Sequence, residues 1–241
     1  MYTSDILSIF NVTNIRVERL VKSFESKISI IINRERRLKT YIYNIGINNI
    51  ERSLKKEMKD IKSEVREILA DSLINVEDAI DSEYKLDYDR SFVSTIYDSV
   101  IESIDAQLLK MANIAIRLVR VEVVSVRREK KIRNSNLEDA FFEIKKRTPF
   151  VEPEMYFRDK SSRKWRISKY FTMLVKYLIY TFAREMVFEI AVENDIDNLE
   201  IYPTEDVMEI SEYDNLKDDG VFHHNSQKLL IVRRWDVHSS K

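Results

Sequence analysis

The sequence contains no cysteine. This absence excludes disulfide bonds, thiolate nucleophiles and cysteine-ligated zinc sites. Histidine is scarce as well, with three residues in the chain: His223, His224 and His238. The two adjacent histidines would point to opposite faces of a strand, so they are poorly placed to share one ion. We therefore expect no metal site and no cofactor.

Turn-forming residues are also rare. The chain has two glycines (Gly46 and Gly220) and three prolines, and residues 1–148 hold only one glycine and no proline. A chain rich in strands needs frequent turn residues. The first 148 residues are therefore predicted to form long helices with few connections.

Targeting features are missing from the sequence. The segment 1–5 has no positive charge ahead of an apolar run, so we expect no signal peptide. The most apolar stretch, residues 170–183, is shorter than the roughly 20 residues that a helix needs to span a bilayer. The stretch is predicted to be a buried helix, and we expect no membrane association.

Charge is abundant but balanced. The 40 Lys and Arg residues meet 41 Asp and Glu residues, which gives a net charge of −1. This balance suits solvated helix faces better than a dedicated nucleic-acid binder, which normally carries a basic surplus. The best candidate for polyanion contact is a basic patch of five residues: Arg127, Arg128, Lys130, Lys131 and Arg133. The other interpretation is that these cations complement the dipole at a helix C-terminus, and the balanced charge favours it.

Three apolar stripes with alternating steps of three and four predict three long helices. The first stripe leads to Gly46, the second begins at Ile47, and the third runs from Val93 towards Arg133. With Gly46 as a C-cap, the first two helices form a hairpin; the alternative is one continuous rod, and we favour the hairpin. A β-branched run at residues 119–126 leaves a strand open as an alternative inside the third helix.

The C-terminal half has a different pattern. The form Ser-Asn-Leu-Glu at residues 135–138 resembles a capping box that opens a short helix over 137–147. A loop or short hairpin is predicted over 156–165, an enclosed helix over 167–193, and short strands at 199–202 and 229–232, with a turn at 218–220. The predicted fold class is mainly α, with long antiparallel helices in the N-terminal half and a small α+β C-terminal region. The predicted domains are an elongated helical region, 1–134, and a compact region, 135–241.

Catalytic patterns are not found. Two isolated glycines cannot form a glycine-rich phosphate loop. The acidic turn with Asp214, Asp218 and Asp219 lacks the ligand spacing of an EF-hand. Since no nucleophile and base can be paired, we expect no catalytic residues, no small-molecule substrate and no enzymatic activity.

One segment carries a resemblance to a known family. Residues 165–177 read WRISKYFTMLVKY, and they resemble a segment of the tailed-phage minor capsid proteins related to the Mu head-morphogenesis protein. The resemblance covers about 70 residues, 156–225, and the positions that fit its pattern are Trp165, Tyr170, Met173, Lys176, Arg184, Glu185 and Gly220. Lys176 is followed by tyrosine where the family usually has an Arg-Thr pair, and the His and Cys residues of a later turn are missing.

The resemblance implies a structural component of a tailed-phage virion. A minor capsid or portal- and neck-associated protein would act by packing on portal, neck or capsid proteins and on further copies of itself. Its location would be the virion, assembled in the host cytoplasm, where the basic patch could contact packaged DNA. The alternative function is a helical nucleic-acid-associated or regulatory protein that uses residues 127–133 together with Arg233 and Arg234.

Overall fold

The computed structural model describes residues 2–85, 90–132, 137–147, 149, 156–158, 163–222 and 226–232. Helices dominate this part of the chain, as the sequence predicts. The α-helices in it are α1 (Tyr2–Arg36), α2 (Asn44–Tyr84), α3 (Arg90–Ile132), α4 (Leu137–Lys146), α5 (Ile167–Glu193) and α6 (Tyr213–Asp218). The strands are β1 (Tyr156–Arg158), β2 (Lys164–Arg166), β3 (Asn198–Tyr202), β4 (Asp206–Glu209) and β5 (Leu229–Ile231). No helix in these ranges combines the length and hydropathy that crossing a membrane requires.

Contacts divide the chain into two compact units, each built from separate stretches of sequence. The first unit comprises Met1–Val17, Arg66–Ile104 and Phe171–Lys241. The second unit comprises Glu18–Val65 and Asp105–Tyr170. The predicted boundary between residues 134 and 135 lies inside the second unit.

In the second unit, α1 and α2 run antiparallel. Lys27 Nζ lies 2.8 Å from a Glu57 carboxylate oxygen, and Arg34 donates to the Ser53 hydroxyl at 3.3 Å. A later residue of α1 thus contacts an earlier residue of α2, as in a helical hairpin. The hairpin is therefore confirmed, but the helices are joined by a segment that includes a 3₁₀ turn, Lys39–Ile42, rather than at Gly46.

Gly46 has a different role from the predicted C-cap. It lies in the first turn of α2, and its N–H donates to the Tyr43 carbonyl at 3.1 Å. A Cβ at this position would lie 2.5 Å from the Thr40 carbonyl oxygen and 2.6 Å from the Tyr41 Cα. The C-cap prediction was wrong because the glycine is needed for close backbone approach, whereas a C-cap glycine supplies a left-handed conformation.

α3 packs along α2 in the second unit, again antiparallel. Lys62 Nζ lies 3.4 Å from Asp105, and Arg120 pairs with Glu51. The β-branched run at 119–126 is helical, with Val119, Val123 and Val126 buried, so the strand alternative does not apply. A loop or a short hairpin was predicted at residues 156–165, and β1 pairs antiparallel with β2 there. The proposed capping serine, Ser135, lies outside the described residues.

The first unit is organised around α5. Many of its apolar side chains are buried, among them Phe171, Phe182 and Met186, as predicted for residues 167–193, although Met173 is half-buried and Val192 is exposed. The ring of Phe10 on α1 meets the ring of Tyr180 on α5, with centroids 6.1 Å apart. Tyr2 packs edge-on against Tyr84 at 5.6 Å, and its hydroxyl donates to the Leu230 carbonyl. The beginning of α1 is thus fixed by aromatic contacts and by β5.

A small antiparallel sheet completes this unit, with strand order β4-β3-β5. Leu199 and Ile201 of β3 are buried, and their register partners are Met208 on β4 and Leu230 on β5. The strands at 199–202 and 229–232 were predicted, and both form. β4 and α6 were not predicted. The sequence of β4 alternates only weakly between apolar and polar residues, and α6 is a mostly polar helix of less than two turns.

Candidate functional site

Arg184 is the most enclosed charged residue of the resemblance motif, with 2% of its surface exposed. Its terminal nitrogens donate to the Lys228 carbonyl at 3.1 Å and to the Thr181 hydroxyl at 2.9 Å. Its guanidinium carbon lies 4.9 Å from the centroid of the Phe222 ring. Burial lowers the pKa of Arg184, and these contacts replace the water that the cation has lost. Arg184 therefore ties α5 to the segment that leads into β5.

Glu185 joins α5 to α6. One carboxylate oxygen accepts from the Tyr213 hydroxyl at 3.0 Å and lies 3.0 Å from Lys217 Nζ. The Tyr213 ring stacks on Phe188 with centroids 4.4 Å apart. Burial raises the pKa of Tyr213, so the phenol stays protonated near neutral pH and acts as a donor.

Gly220 ends α6 with a Schellman motif. The Val221 N–H donates to the Leu216 carbonyl at 3.0 Å, and the Gly220 N–H donates to the Lys217 carbonyl at 3.1 Å. Gly220 has a φ of +76°, the left-handed conformation that glycine adopts without steric cost. The predicted turn at residues 218–220 is confirmed, and it follows a helix that the sequence did not indicate.

The motif residues of the first unit also include Met173 and Lys176, both half-buried on α5. Lys176 Nζ lies 6.0 Å from the centroids of the Phe10 and Tyr180 rings. Burial lowers the pKa of Lys176. The ammonium group at this motif position therefore contacts aromatic rings.

Trp165 and Tyr170 belong to the second unit. Trp165 is half-buried in β2, where its register partner is Phe157 on β1. The Arg163 guanidinium carbon lies 5.6 Å from the Trp165 ring. Tyr170 is half-buried in the first turn of α5. The structure therefore divides the motif, with Arg184, Glu185 and the Gly220 turn gathered around α6 in the first unit.

The predicted basic patch is described only in part. Arg127 is half-buried and Arg128 is exposed near the end of α3. The side chains of Lys130 and Lys131, and all of Arg133, lie outside the described residues. Contact between this patch and a polyanion stays a prediction.

The histidines fall outside the described residues as well: His223, His224 and His238. Among the residues that the structure does describe, no group of three or more His, Asp or Glu side chains is arranged to hold a metal ion. The absence of a metal and of catalytic residues stays a prediction for the chain.

Sequence reasoning missed a buried ion pair in the second unit. Arg36 donates to Glu122 at 2.7 Å, and the Tyr41 hydroxyl donates to the other oxygen of the same carboxylate. The side chains of Arg36 and Glu122 are 8% and 22% exposed. A sequence clue does exist, since Glu122 is a carboxylate inside the apolar run 119–126, and such a residue needs a partner.

In the clusters around Arg184, Glu185 and Glu122, polar side chains join different segments of the chain. Arg184, Glu185 and Glu122 each have partners on other elements, and Tyr213 donates as a neutral phenol. Comparisons with protein-family models, with curated proteins and with solved structures find no match to this chain.

Proposed function

We propose that this chain is a structural component of a tailed-phage virion, a minor capsid or portal- and neck-associated protein. It acts by packing against other virion proteins and has no catalytic role. The proposal is supported by the resemblance over residues 165–177 and by the helical architecture. The motif residues Arg184, Glu185 and Gly220 join structural elements, as expected of residues that maintain a packing scaffold.

An exposed apolar face on α3 carries the proposal. Val121 and Val124 are 61% and 56% exposed, although aliphatic side chains are usually buried. They line an open groove of about 400 Å³ together with Arg117, Arg120 and Arg128. Protein interfaces combine an apolar centre with a polar rim and are enriched in arginine. This α3 face has both features.

The chemistry of the groove favours a partner with complementary charge. Arg117 and Arg128 lie beside the two valines, and Arg120 is already paired with Glu51. This arrangement favours a protein surface with apolar side chains next to carboxylates. Residues at steps of three and four share one helix face, as Arg117, Val121, Val124 and Arg128 do. An elongated partner surface, such as a helix or the rim of a portal ring, would cover the whole row.

The test is a mass measurement on the purified chain, alone and mixed with the portal ring encoded by the same genome. We expect a complex with the ring, and we expect the double substitution Val121→Asp and Val124→Asp to abolish it by placing carboxylates opposite carboxylates. Leu109→Asp is the matched control, because Leu109 is an exposed aliphatic residue on the same helix. A strictly monomeric chain that ignores the portal, or equal loss in both variants, contradicts the proposal.

A second candidate is the helical nucleic-acid-associated or regulatory protein. One observation favours it: Arg128, a member of the predicted basic patch, lines the same groove as Arg117 and Arg120. Retention of the intact chain on DNA that falls steeply with salt, together with indifference to the portal, would select this candidate over packing.

A further inference from the structure

The sequence around β1 and β2, the two strands that precede α5, is strongly basic. From residue 160 to residue 184 the chain has seven Lys and Arg residues and no Asp or Glu, although the whole chain holds 40 basic and 41 acidic residues. Lys176 and Arg184 belong to the first unit and lie beside aromatic rings there. The remaining described cations of this stretch lie within residues 163–169 of the second unit.

The two strands form an antiparallel ribbon whose register separates charged from aromatic positions. The paired positions are Tyr156 with Arg166, Phe157 with Trp165, and Arg158 with Lys164. Residues opposite each other share a face of the ribbon, and successive residues of a strand alternate between its faces. Trp165 is half-buried, whereas Lys164 and Arg166 are exposed. The basic face of the ribbon is therefore turned towards solvent.

The charge of this face is not compensated within the part of the chain that the structure describes. Lys164, Arg166 and the exposed Lys169 form no ion pair with a described carboxylate. Arg163 is different, because its guanidinium carbon lies 5.6 Å from the Trp165 ring, and it is left out of this set. Three exposed cations thus lie within six consecutive residues.

Helix stability does not explain these cations. α5 begins directly after β2, and its first turn contains Lys169 but no acidic residue. The helix dipole places partial positive charge at this end, where further cations are unfavourable. The basic residues near the end of α3 differ in this respect, because cations at a helix C-terminus complement the dipole. An anion from outside the chain would compensate the cations of the ribbon.

We propose that the basic face of this ribbon binds the phosphate backbone of a nucleic-acid duplex. Exposed Lys and Arg side chains that contact phosphates release counterions, and this release drives binding. A two-stranded ribbon has a width that the major groove admits. Trp165 lies on the other face, so the ribbon does not present this ring to the bases of a single strand. The site uses no residue of the α3 groove or of the patch at 127–133, and the proposal does not depend on the packing function.

The test uses the full chain and a dye-labelled DNA duplex of arbitrary sequence, with binding followed by fluorescence anisotropy at low salt. We expect Lys164→Glu with Arg166→Glu to weaken binding roughly tenfold or more, because the change places carboxylates against phosphates. The matched control is Lys55→Glu with Lys56→Glu, which makes the same charge change on exposed residues of α2 in the same unit. Arg127→Glu with Arg128→Glu is a second comparison, which reports on the predicted patch. Circular dichroism checks that every variant is folded.

A milder pair, Lys164→Gln with Arg166→Gln, removes the charges without reversing them. Each lost phosphate contact lowers the slope of log affinity against log salt by about 0.9, so this pair should reduce the slope by about 2. Binding of the portal ring by the same pair should be unchanged, which keeps the result separate from the packing function.

Four outcomes would overturn the proposal. The duplex does not bind, or the ribbon variants bind it as the unchanged chain does. The loss appears equally in the α2 control pair, or it appears in the Arg127 and Arg128 pair instead of the ribbon pair. Finally, a single strand of the same length or an acidic polypeptide binds more tightly than the duplex, which would identify a different class of ligand.

Discussion

The Arg36 guanidinium and the Glu122 carboxylate form an ion pair at 2.7 Å between residues 86 positions apart in the chain. Tyr41 donates to the second carboxylate oxygen. A single side chain on α3 is thereby connected to the end of α1 and to the 3₁₀ turn that follows it. The ion pair therefore holds α3 next to the α1–α2 connection in the second unit.

Removing this carboxylate should strongly destabilise the protein. Glu122→Ala removes the carboxylate that pairs with the buried Arg36 guanidinium. Breaking a buried ion pair in this way costs about 3 kcal/mol in comparable cases. The free energy of unfolding from urea titration, followed by circular dichroism, measures the loss. Glu51→Ala is the control, since its partner Arg120 is exposed and such pairs contribute less than about 1 kcal/mol. Equal losses in the two variants would contradict a special role for Glu122.

Gly46→Ala should lower the melting temperature. Alanine normally stabilises a helix relative to glycine by about 1 kcal/mol. Here the added Cβ would meet the Thr40 carbonyl oxygen at 2.5 Å, and backbone cannot move aside as a side chain can. Thermal unfolding should therefore show a loss of about 1–3 kcal/mol. Asn48→Ala, an exposed position on the same helix, is the control and should be neutral or slightly stabilising.

Alkaline pH should unfold the protein through its buried tyrosines. Burial raises the pKa of Tyr2, Tyr41, Tyr84 and Tyr213 above the usual 10.0. Above pH 10 the unfolded phenols release protons that the folded chain retains, so stability falls as pH rises. Below that pH both states are protonated, and these groups add no pH dependence.

The measurement is the urea midpoint as a function of pH, together with the ultraviolet absorbance of ionised tyrosine. Each retained proton should contribute a slope of about 1.4 kcal/mol per pH unit. Tyr213→Phe should make the decline shallower, because it removes one of the buried phenols. Tyr43→Phe, which removes the same atom from an exposed ring, is the control for the loss of a hydroxyl group. A stability that is flat through the alkaline range would refute the tyrosine explanation.

Arg184→Lys should lower the free energy of unfolding, although the positive charge is retained. A lysine at this position lacks the guanidinium fork that donates to both the Lys228 carbonyl and the Thr181 hydroxyl, and it loses the guanidinium contact with the Phe222 ring. A buried hydrogen bond left unmade costs about 2 kcal/mol. Urea unfolding gives the size of the effect, and hydrogen exchange of β5 amides gives its location. The comparison is Arg16→Lys, at an exposed ion pair of the same unit, where we expect almost no change.

The long helices were predictable because the spacing of apolar residues indicates which face of a helix is buried. Val17, Val21, Phe24 and Ile28 are all buried along α1, as the first stripe requires. Leu38 continues the same apolar spacing, seven residues after Ile31, but it is exposed because α1 ends at Arg36. A heptad-like pattern does not reveal where the backbone leaves the helix.

The polar contacts were less predictable, since they depend on long-range pairing. Residue spacing shows that Glu122 lies within an apolar run, but it cannot show that Arg36 is the partner. α6 is polar in sequence and is anchored by Tyr213 packing on Phe188, a tertiary contact.

The bond between the Tyr2 hydroxyl and the Leu230 carbonyl has a consequence for synthesis on the ribosome. Tyr2 leaves the exit tunnel more than two hundred residues before its acceptor. The stretches Glu18–Val65 and Asp105–Tyr170 are both synthesised before Leu230, so the second unit can begin to fold before Tyr2 reaches its acceptor. A translation pause after residue 170 would therefore leave the aromatic surface around Tyr2 and Phe10 open to whatever chaperone attends the nascent chain.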